Sequence, residues 1–295
     1  MKIGLVDVDG HNFPNLALMK ISAWHKQQGD EVEFYSPFFD YDKVYMSKVF
    51  TFTTDYEMCI RAKTIVKGGT GYGINDTLPY EVEHMYPDYS LYGVKEAYGY
   101  LTRGCPRGCD FCIVADKEGR KSYKVADLKE FWKGQKVIKL LDPNLLAAKE
   151  HLDLIQQLVD SKAYVDITQG LDARLLNSAN TELLKQLKVK QVHFAWDNYM
   201  DKEIIVPKLE AFKKATEWDK RKMAVYVLTN FNSTHEDDLE RIYTLKSLGY
   251  YPYVMIYDKE KLPKGHEILK LQRWVNNRVI FNTIDRFEDY KANKI

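Results

Sequence analysis

The stretch Cys105-Pro106-Arg107-Gly108-Cys109-Asp110-Phe111-Cys112 holds three of the chain's four cysteines at spacings of four and three residues. Pro106 and Gly108 force a tight loop, so the three thiolates can point at one small inorganic object. Thiolates are soft ligands that select zinc, copper or iron-sulfur clusters. Cys59, far upstream, is the only other cysteine. A four-iron cubane held by three cysteines leaves one iron open, and an open metal position is where chemistry takes place. Two alternatives stand beside this: a Cys3His zinc knuckle completed by a remote histidine such as His84 or His193, or free thiols. Structural zinc ligands usually come as paired Cys-x2-4-Cys or Cys/His clusters, and the sequence holds no second cluster.

Cys-x3-Cys-x2-Cys with an aromatic, Phe111, just before the last cysteine resembles the signature of the radical S-adenosylmethionine (radical SAM) superfamily. The resemblance implies that Cys105, Cys109 and Cys112 ligate a 4Fe-4S cluster. It implies that the methionyl amino and carboxylate groups of S-adenosylmethionine chelate the fourth iron. Reductive cleavage then gives a 5'-deoxyadenosyl radical that takes a hydrogen atom from a substrate, which the sequence does not identify. By the same resemblance Phe111 packs near the adenine and Arg107 offsets negative charge at the cluster. An electron donor such as a reduced flavodoxin or ferredoxin is implied as a partner. Sulfur-inserting relatives carry a second cluster, and Cys59 alone does not supply one.

The chain has 295 residues, 45% of them hydrophobic, enough for one large domain or two smaller ones. A formal charge of +1, from 43 basic and 42 acidic side chains, gives no global attraction to nucleic acid. Acidic residues appear at Asp7 and Asp9 before a signal-peptide core can accumulate, and no apolar run reaches membrane-spanning length. These features predict a cytoplasmic protein without a membrane partner, in a reducing compartment that suits cluster assembly.

Residues 1–93 read as a small Rossmann-like α/β domain with an ordered linker. Strands are expected at Ile3–Val8, Val32–Tyr35, Val44–Val49 and Thr64–Lys67, with a helix from about Asn15 to Gln28 closed by Gly29. Gly68-Gly69-Thr70-Gly71-Tyr72-Gly73 follows the last strand. It is either a loop that lets backbone amides approach a phosphate or nucleotide tail, or an ordinary strand-ending turn. This layout resembles the cobalamin-binding domain that precedes many radical SAM barrels. The Asp-x-His-x-x-Gly order that supplies cobalt's axial histidine there is replaced by Asp9-Gly10-His11, so the resemblance reaches the domain's fold and stops short of cobalamin. A cobalamin-dependent methylating enzyme is the alternative reading of function, and a zinc protein without enzymatic activity is another.

Residues 94–295 are expected to form a partial (β/α)6 barrel followed by a helical extension. Six strands are read at Tyr98–Thr102, Val137–Leu141, Tyr164–Thr168, Val192–Trp196, Ala224–Leu228 and Tyr253–Tyr257. Ala148, Leu152, Ile155 and Val159 are expected on one helical face, and Ser233 with Glu236 as a capping box. Each strand ends in polar residues, on the rim where β/α barrels build active sites. By resemblance, Asp142 and the backbone beside it face the S-adenosylmethionine ammonium, and Asp197 or Gln169 the ribose hydroxyls. Arg174 suits the carboxylate with its planar guanidinium, the alternative being an ion pair with Asp172 or Asp142. Asn144, Asn230 and Asp258 serve equally well as caps or turn residues.

Overall fold

A computed structural model describes residues 1–10, 13–73 and 77–291. The chain divides into two compact units, one of residues 1–99 with 126–138, the other of 100–125 with 139–295. The boundary expected at 93/94 therefore falls a few residues later, and the chain returns once to the first unit before completing the second.

The first unit begins with β1 (Lys2–Asp7), α1 (Leu16–Gln27), β2 (Glu31–Phe34), β3 (Tyr41–Ser47) and β4 (Ala62–Gly68), continues through the single turn α2 (Tyr80–Glu83), and includes β5 (Ala97–Gly99). Its own sheet has the order β2-β1-β3-β4, with every neighbouring pair parallel. That is the strand order of a doubly wound α/β unit. Asn15 caps α1, accepting from the Leu18 amide at 3.2 Å, and Gly29 follows the helix with φ +81°. Leu18 and Ile21 pack with Ile3 and Leu5 on one side of the sheet, while Val6, Tyr41, Val44 and Met46 form a second cluster. The crossovers after β2 and β3 carry no helix.

The glycine-rich segment after β4 is explained by packing inside this unit. A Cβ on Gly69 would lie 2.3 Å from the Lys48 carbonyl oxygen, and one on Gly71 would lie 2.7 Å from that of Phe50. The glycines thus let two loops lie backbone to backbone. His11 lies outside the described residues.

The second unit opens with a short hairpin, β6 (Thr102–Arg103) paired antiparallel with β7 (Tyr123–Lys124), and α3 (Val114–Glu118) lies between its strands. After β8 (Val137–Leu140) come α4 (His151–Ser161), β9 (Tyr164–Leu171), α5 (Ser178–Lys185), β10 (Lys188–Ala195) and α6 (Lys202–Thr216). They are followed by β11 (Met223–Thr229), α7 (His235–Ser247), β12 (Tyr251–Ile256), α8 (Glu267–Asn276) and α9 (Arg278–Thr283). In this unit the strands run in the order β12-β11-β10-β9-β8, and the pairs from β9 to β12 are parallel. Strands alternating with helices in sequence order are the pattern read from the sequence. The first strand differs: the run expected at Tyr98–Thr102 breaks after Gly99, and its last residue turns into the hairpin.

On α4 the buried residues are Leu154, Ile155, Leu158 and Val159, and Leu152, expected inside, is 37% exposed. The capping box of α7 lies one residue beyond the expected place. Thr234 and Asp237 exchange the two bonds, and Ser233 donates to Asp238 at 2.6 Å. Edge strand β12 is blunted by α8, whose Asn276 accepts from the Val254 amide at 2.8 Å and donates to its carbonyl at 3.0 Å. Gln272 donates to that carbonyl as well, so amide side chains stand where another strand's backbone would. No helix among the described residues is long and apolar enough to cross a membrane.

Candidate functional site

The cysteine loop is suspended from the β6–β7 hairpin. The Cys105 amide donates to the Gly119 carbonyl at 3.1 Å, the Gly104 amide to Glu118 at 3.0 Å, and Arg103 pairs with Glu118 at 2.7 Å. Gly104 has φ +78°, and a Cβ there would lie 2.2 Å from the Lys121 carbonyl oxygen, so only glycine fits where the loop leaves the hairpin. Inside the loop the Cys112 amide donates to the Cys109 carbonyl at 2.9 Å.

Asp142, at the end of β8, anchors the base of this loop. It is 3% exposed and accepts from the amides of Leu101 and Thr102 and from the Thr102 hydroxyl, at 2.6–3.1 Å. Burial pushes its carboxyl up to about 6, against the pull of those bonds. Both oxygens are thus used within the chain, on the residues that lead into the cysteines, whereas the sequence reading turned this side chain toward a cofactor. Asp142→Ala is expected to lower the unfolding free energy by about 3 kcal/mol, because several buried donors lose a charged acceptor. Urea denaturation monitored by tryptophan fluorescence measures it, and a loss under about 1 kcal/mol would mean the anchor is dispensable.

Asn144, two residues on, is 3% exposed and makes no cap bond. Its amide donates to the Cys105 sulfur at 3.4 Å, and its Oδ1 is buried without a partner among the described residues. A buried acceptor left empty costs about 1–3 kcal/mol, which marks a place for a donor from outside the chain.

The thiols of Cys109 and Cys112 are pushed up first by burial; Cys112 and Cys105 then raise Cys109, and Cys105 raises Cys112 against a backbone bond near Val114. Asp197 and Arg174 act on Cys109 as well, in opposite directions. The loop after β9 touches the cysteine loop directly, through Arg107 and Asp172. Asp197 follows β10, and burial pushes its carboxyl up to about 6. Gln169 is exposed on β9, beside an irregularity where Ile167 pairs with Val192 and Gly170 with His193. Phe111 meets Phe231 edge-on at 5.5 Å, and Phe231 meets Tyr257 at 5.0 Å, so an aromatic row links the loop to the ends of β11 and β12.

Arg174 is held in a charge network. Its guanidinium bonds Asp172 at 2.7 Å and Asp201 at 2.7 Å, while Arg107 of the cysteine loop bonds the other Asp172 oxygen at 2.5 Å. The ion pair with Asp172, weighed from the sequence, is present. The network also ties Arg107 to the loop after β9. Asp172 is 7% exposed; burial raises its carboxyl, but Arg174 and Arg107 outweigh this and hold it below the ordinary range. A depressed carboxyl contributes stability above its unfolded pKa of about 3.9 and loses that contribution as pH falls through the lower folded value. The stability gap between wild type and Asp172→Asn is therefore expected to be flat above about pH 5 and to narrow below about pH 4. A gap that widens on acidification would show that the two arginines do not stabilise this carboxylate.

Beneath the rim, Arg241 of α7 is fully buried. It donates to the carbonyls of Trp196, Asp197 and Leu228 at 2.8–2.9 Å, to Ser233, and to Asp238 at 2.5 Å. It pins the ends of β10 and β11, and with them the residue that bears Asp197. Sequence reasoning missed it. The available signal was the spacing of Asp238 and Arg241, which places both on the buried face of an amphipathic helix that also carries Ile242 and Leu245.

Asn230 has φ +61° and donates to the Tyr257 carbonyl at 2.8 Å, and Asp258 has φ +48° and pairs with Lys261, so both serve in turns. Of the two histidines weighed as zinc ligands, His84 bonds Glu130 at 2.6 Å in the first unit. His193 bonds the Ile167 carbonyl at 2.7 Å and stacks on Tyr226 at 4.9 Å. Among the described residues no three His, Cys, Asp or Glu side chains stand ready-made around a single metal ion.

No family model matches the sequence, and no curated protein matches it. Among solved structures, the chain is similar to Streptococcus suis SuiB bound to S-adenosylmethionine, with TM-score 0.47 and 14% identity over 63% of this chain and 47% of SuiB. SuiB also matches in a second crystal structure, with TM-score 0.46 and 14% identity over 72% of this chain and 50% of SuiB. The match spans about half the length of SuiB.

Proposed function

We propose that the chain is a radical SAM enzyme in which Cys105, Cys109 and Cys112 hold a 4Fe-4S cluster. The observation that carries this reading is the meeting of the Cys-x3-Cys-x2-Cys loop with a buried amide, just after β8, whose acceptor is empty. The donor set fits the cluster: three soft thiols lie on one loop, Asn144 donates to one of them, and Arg107 of the loop is held in place by Asp172. When bound, the cluster and S-adenosylmethionine together supply a 5'-deoxyadenosyl radical that takes hydrogen from a substrate.

The chain's own residues hold and orient. Asp142 fixes Leu101 and Thr102 and so sets the direction in which the loop leaves the hairpin. Asn144 Oδ1 is placed to accept from the methionyl ammonium beside Cys105, a role that the sequence reading gave to Asp142. Arg174 keeps N–H groups beyond those spent on Asp172 and Asp201, enough for a carboxylate. Phe111 and Phe231 offer an apolar wall for adenine, and Asp197 or Gln169 remains the choice for the ribose hydroxyls. A reduced flavodoxin or ferredoxin would deliver the electron.

The test is anaerobic reconstitution with iron and sulfide, then addition of S-adenosylmethionine and dithionite, with 5'-deoxyadenosine read by mass spectrometry. Nucleoside formation that depends on all three loop cysteines is the expected result. A colourless protein holding stoichiometric zinc after anaerobic isolation would overturn the proposal.

A further inference from the structure

An open cleft in the larger unit gathers donors and cations away from the cysteine loop. Tyr253, Lys259, Leu269, Gln272, Arg273, Asn276 and Asn277 line a cleft of about 580 Å³ between β12 and α8. The acceptors among these side chains are already used. Gln272 Oε1 takes the Lys259 ammonium at 2.7 Å, Asn276 Oδ1 takes the Val254 amide, and Asn277 Oδ1 takes the amides of Val279 and Ile280.

Gln272 and Asn276 spend donors on the Val254 carbonyl and Lys259 spends one on Gln272, but other donors are not used. Among the described residues neither the Arg273 guanidinium, the Tyr253 hydroxyl nor the Asn277 Nδ2 has a hydrogen-bond or ion-pair partner, and Lys259 has no carboxylate. No lining residue is acidic. Arg273 and Lys259 are exposed and hydrated, and a phosphate or carboxylate replacing that water would gain charge-assisted bonds to both. The wider segment has the same sign, with six Lys or Arg against three Asp or Glu between Asp258 and Arg278. Tyr253, 46% exposed, places a ring beside these cations, so a flat or apolar group can follow the charged one.

We propose that this cleft binds a small molecule through a phosphate or carboxylate group held by Arg273 and Lys259. Tyr253 flanks the group next to it, and Asn277 and the Tyr253 hydroxyl complete the polar contacts. The site does not depend on the cysteine loop, and protein without any cluster is expected to bind.

Calorimetric titration of the full chain at low ionic strength, with inorganic phosphate in one arm and succinate in the other, tests this. Saturable binding is expected in at least one arm. The variant Lys259→Ala/Arg273→Ala is expected to weaken it by about tenfold or more, the loss of two charge-assisted contacts. Binding of phosphate alone assigns the site to phosphorylated ligands, and binding of succinate alone to carboxylates. Lys264→Ala, outside the cleft, is expected to leave the affinity unchanged. The proposal is overturned if neither anion binds, if the double variant binds as wild type does, or if Lys264→Ala weakens binding as much, since the attraction is then a diffuse surface effect.

Discussion

Alanine at Cys105, Cys109 or Cys112 is expected to remove both iron loading and 5'-deoxyadenosine formation, whereas alanine at Cys59 leaves both intact. The difference follows from placement. Three thiols share one loop, closed on the end of α3 by the Cys105–Gly119 and Gly104–Glu118 bonds and tied to the segment after β9 by the Arg107–Asp172 pair. Cys59 is exposed in the first unit. Loss of an outer-shell partner of a metal site costs about 10–100-fold. Loss of one of three ligands to an open cluster should exceed that and bring nucleoside formation below about one hundredth of wild type. Asn144→Ala, which keeps the thiols and deletes the donor to Cys105 along with the empty acceptor, should retain iron and lose turnover. Iron and sulfide analysis beside the nucleoside assay separates the two outcomes. Wild-type nucleoside yield in any one loop variant would remove the cluster assignment.

Arg241→Met is expected to lower stability by about 3–5 kcal/mol, the cost of breaking a buried pair and leaving its partner charge uncompensated. Asp238 is 1% exposed, and three strand-end carbonyls would lose their donor together. The double change Asp238→Leu/Arg241→Met removes the stranded carboxylate and should recover part of the loss, because an apolar pair of similar volume needs no counter-charge. Chemical denaturation of wild type, single and double variants reads both effects. A single variant within about 1 kcal/mol of wild type would show that α7 holds the strand ends by apolar packing alone. A consequence for the site follows, since one carbonyl that Arg241 holds just after β10 belongs to Asp197. Under conditions where Arg241→Met remains folded, nucleoside formation should still fall.

The order of elements was legible along the chain because local rules set it. The stretch from Met223 to Thr229 is nearly all apolar and forms β11 as one strand, and period-2 and period-3.6 patterns mark most of the other strands and helices. The cysteine spacing was legible for the same reason, since a motif within eight residues needs no distant partner. The strand ends were legible as a group of polar residues, because each follows an apolar run.

Individual roles were decided by tertiary structure. Asp142 and Asn144 stand two residues apart and both can accept hydrogen bonds, so nothing local separates an anchor from an empty acceptor. Only the fold brings the Leu101 and Thr102 amides to the first and Cys105 to the second. Arg174 has the chemistry for a free carboxylate, and proximity to Asp172 and Asp201 decided how much of it is spent. Arg241 is charged, a type that local pattern places outside, and burial became tolerable once three carbonyls and Asp238 surrounded it. By itself, the sequence determined the succession of strands and helices and the cysteine loop, because those rest on contacts a few residues apart. Which polar side chain serves the fold and which is left facing a ligand was decided by partners about 27 to 65 positions away, whose arrival no local pattern encodes.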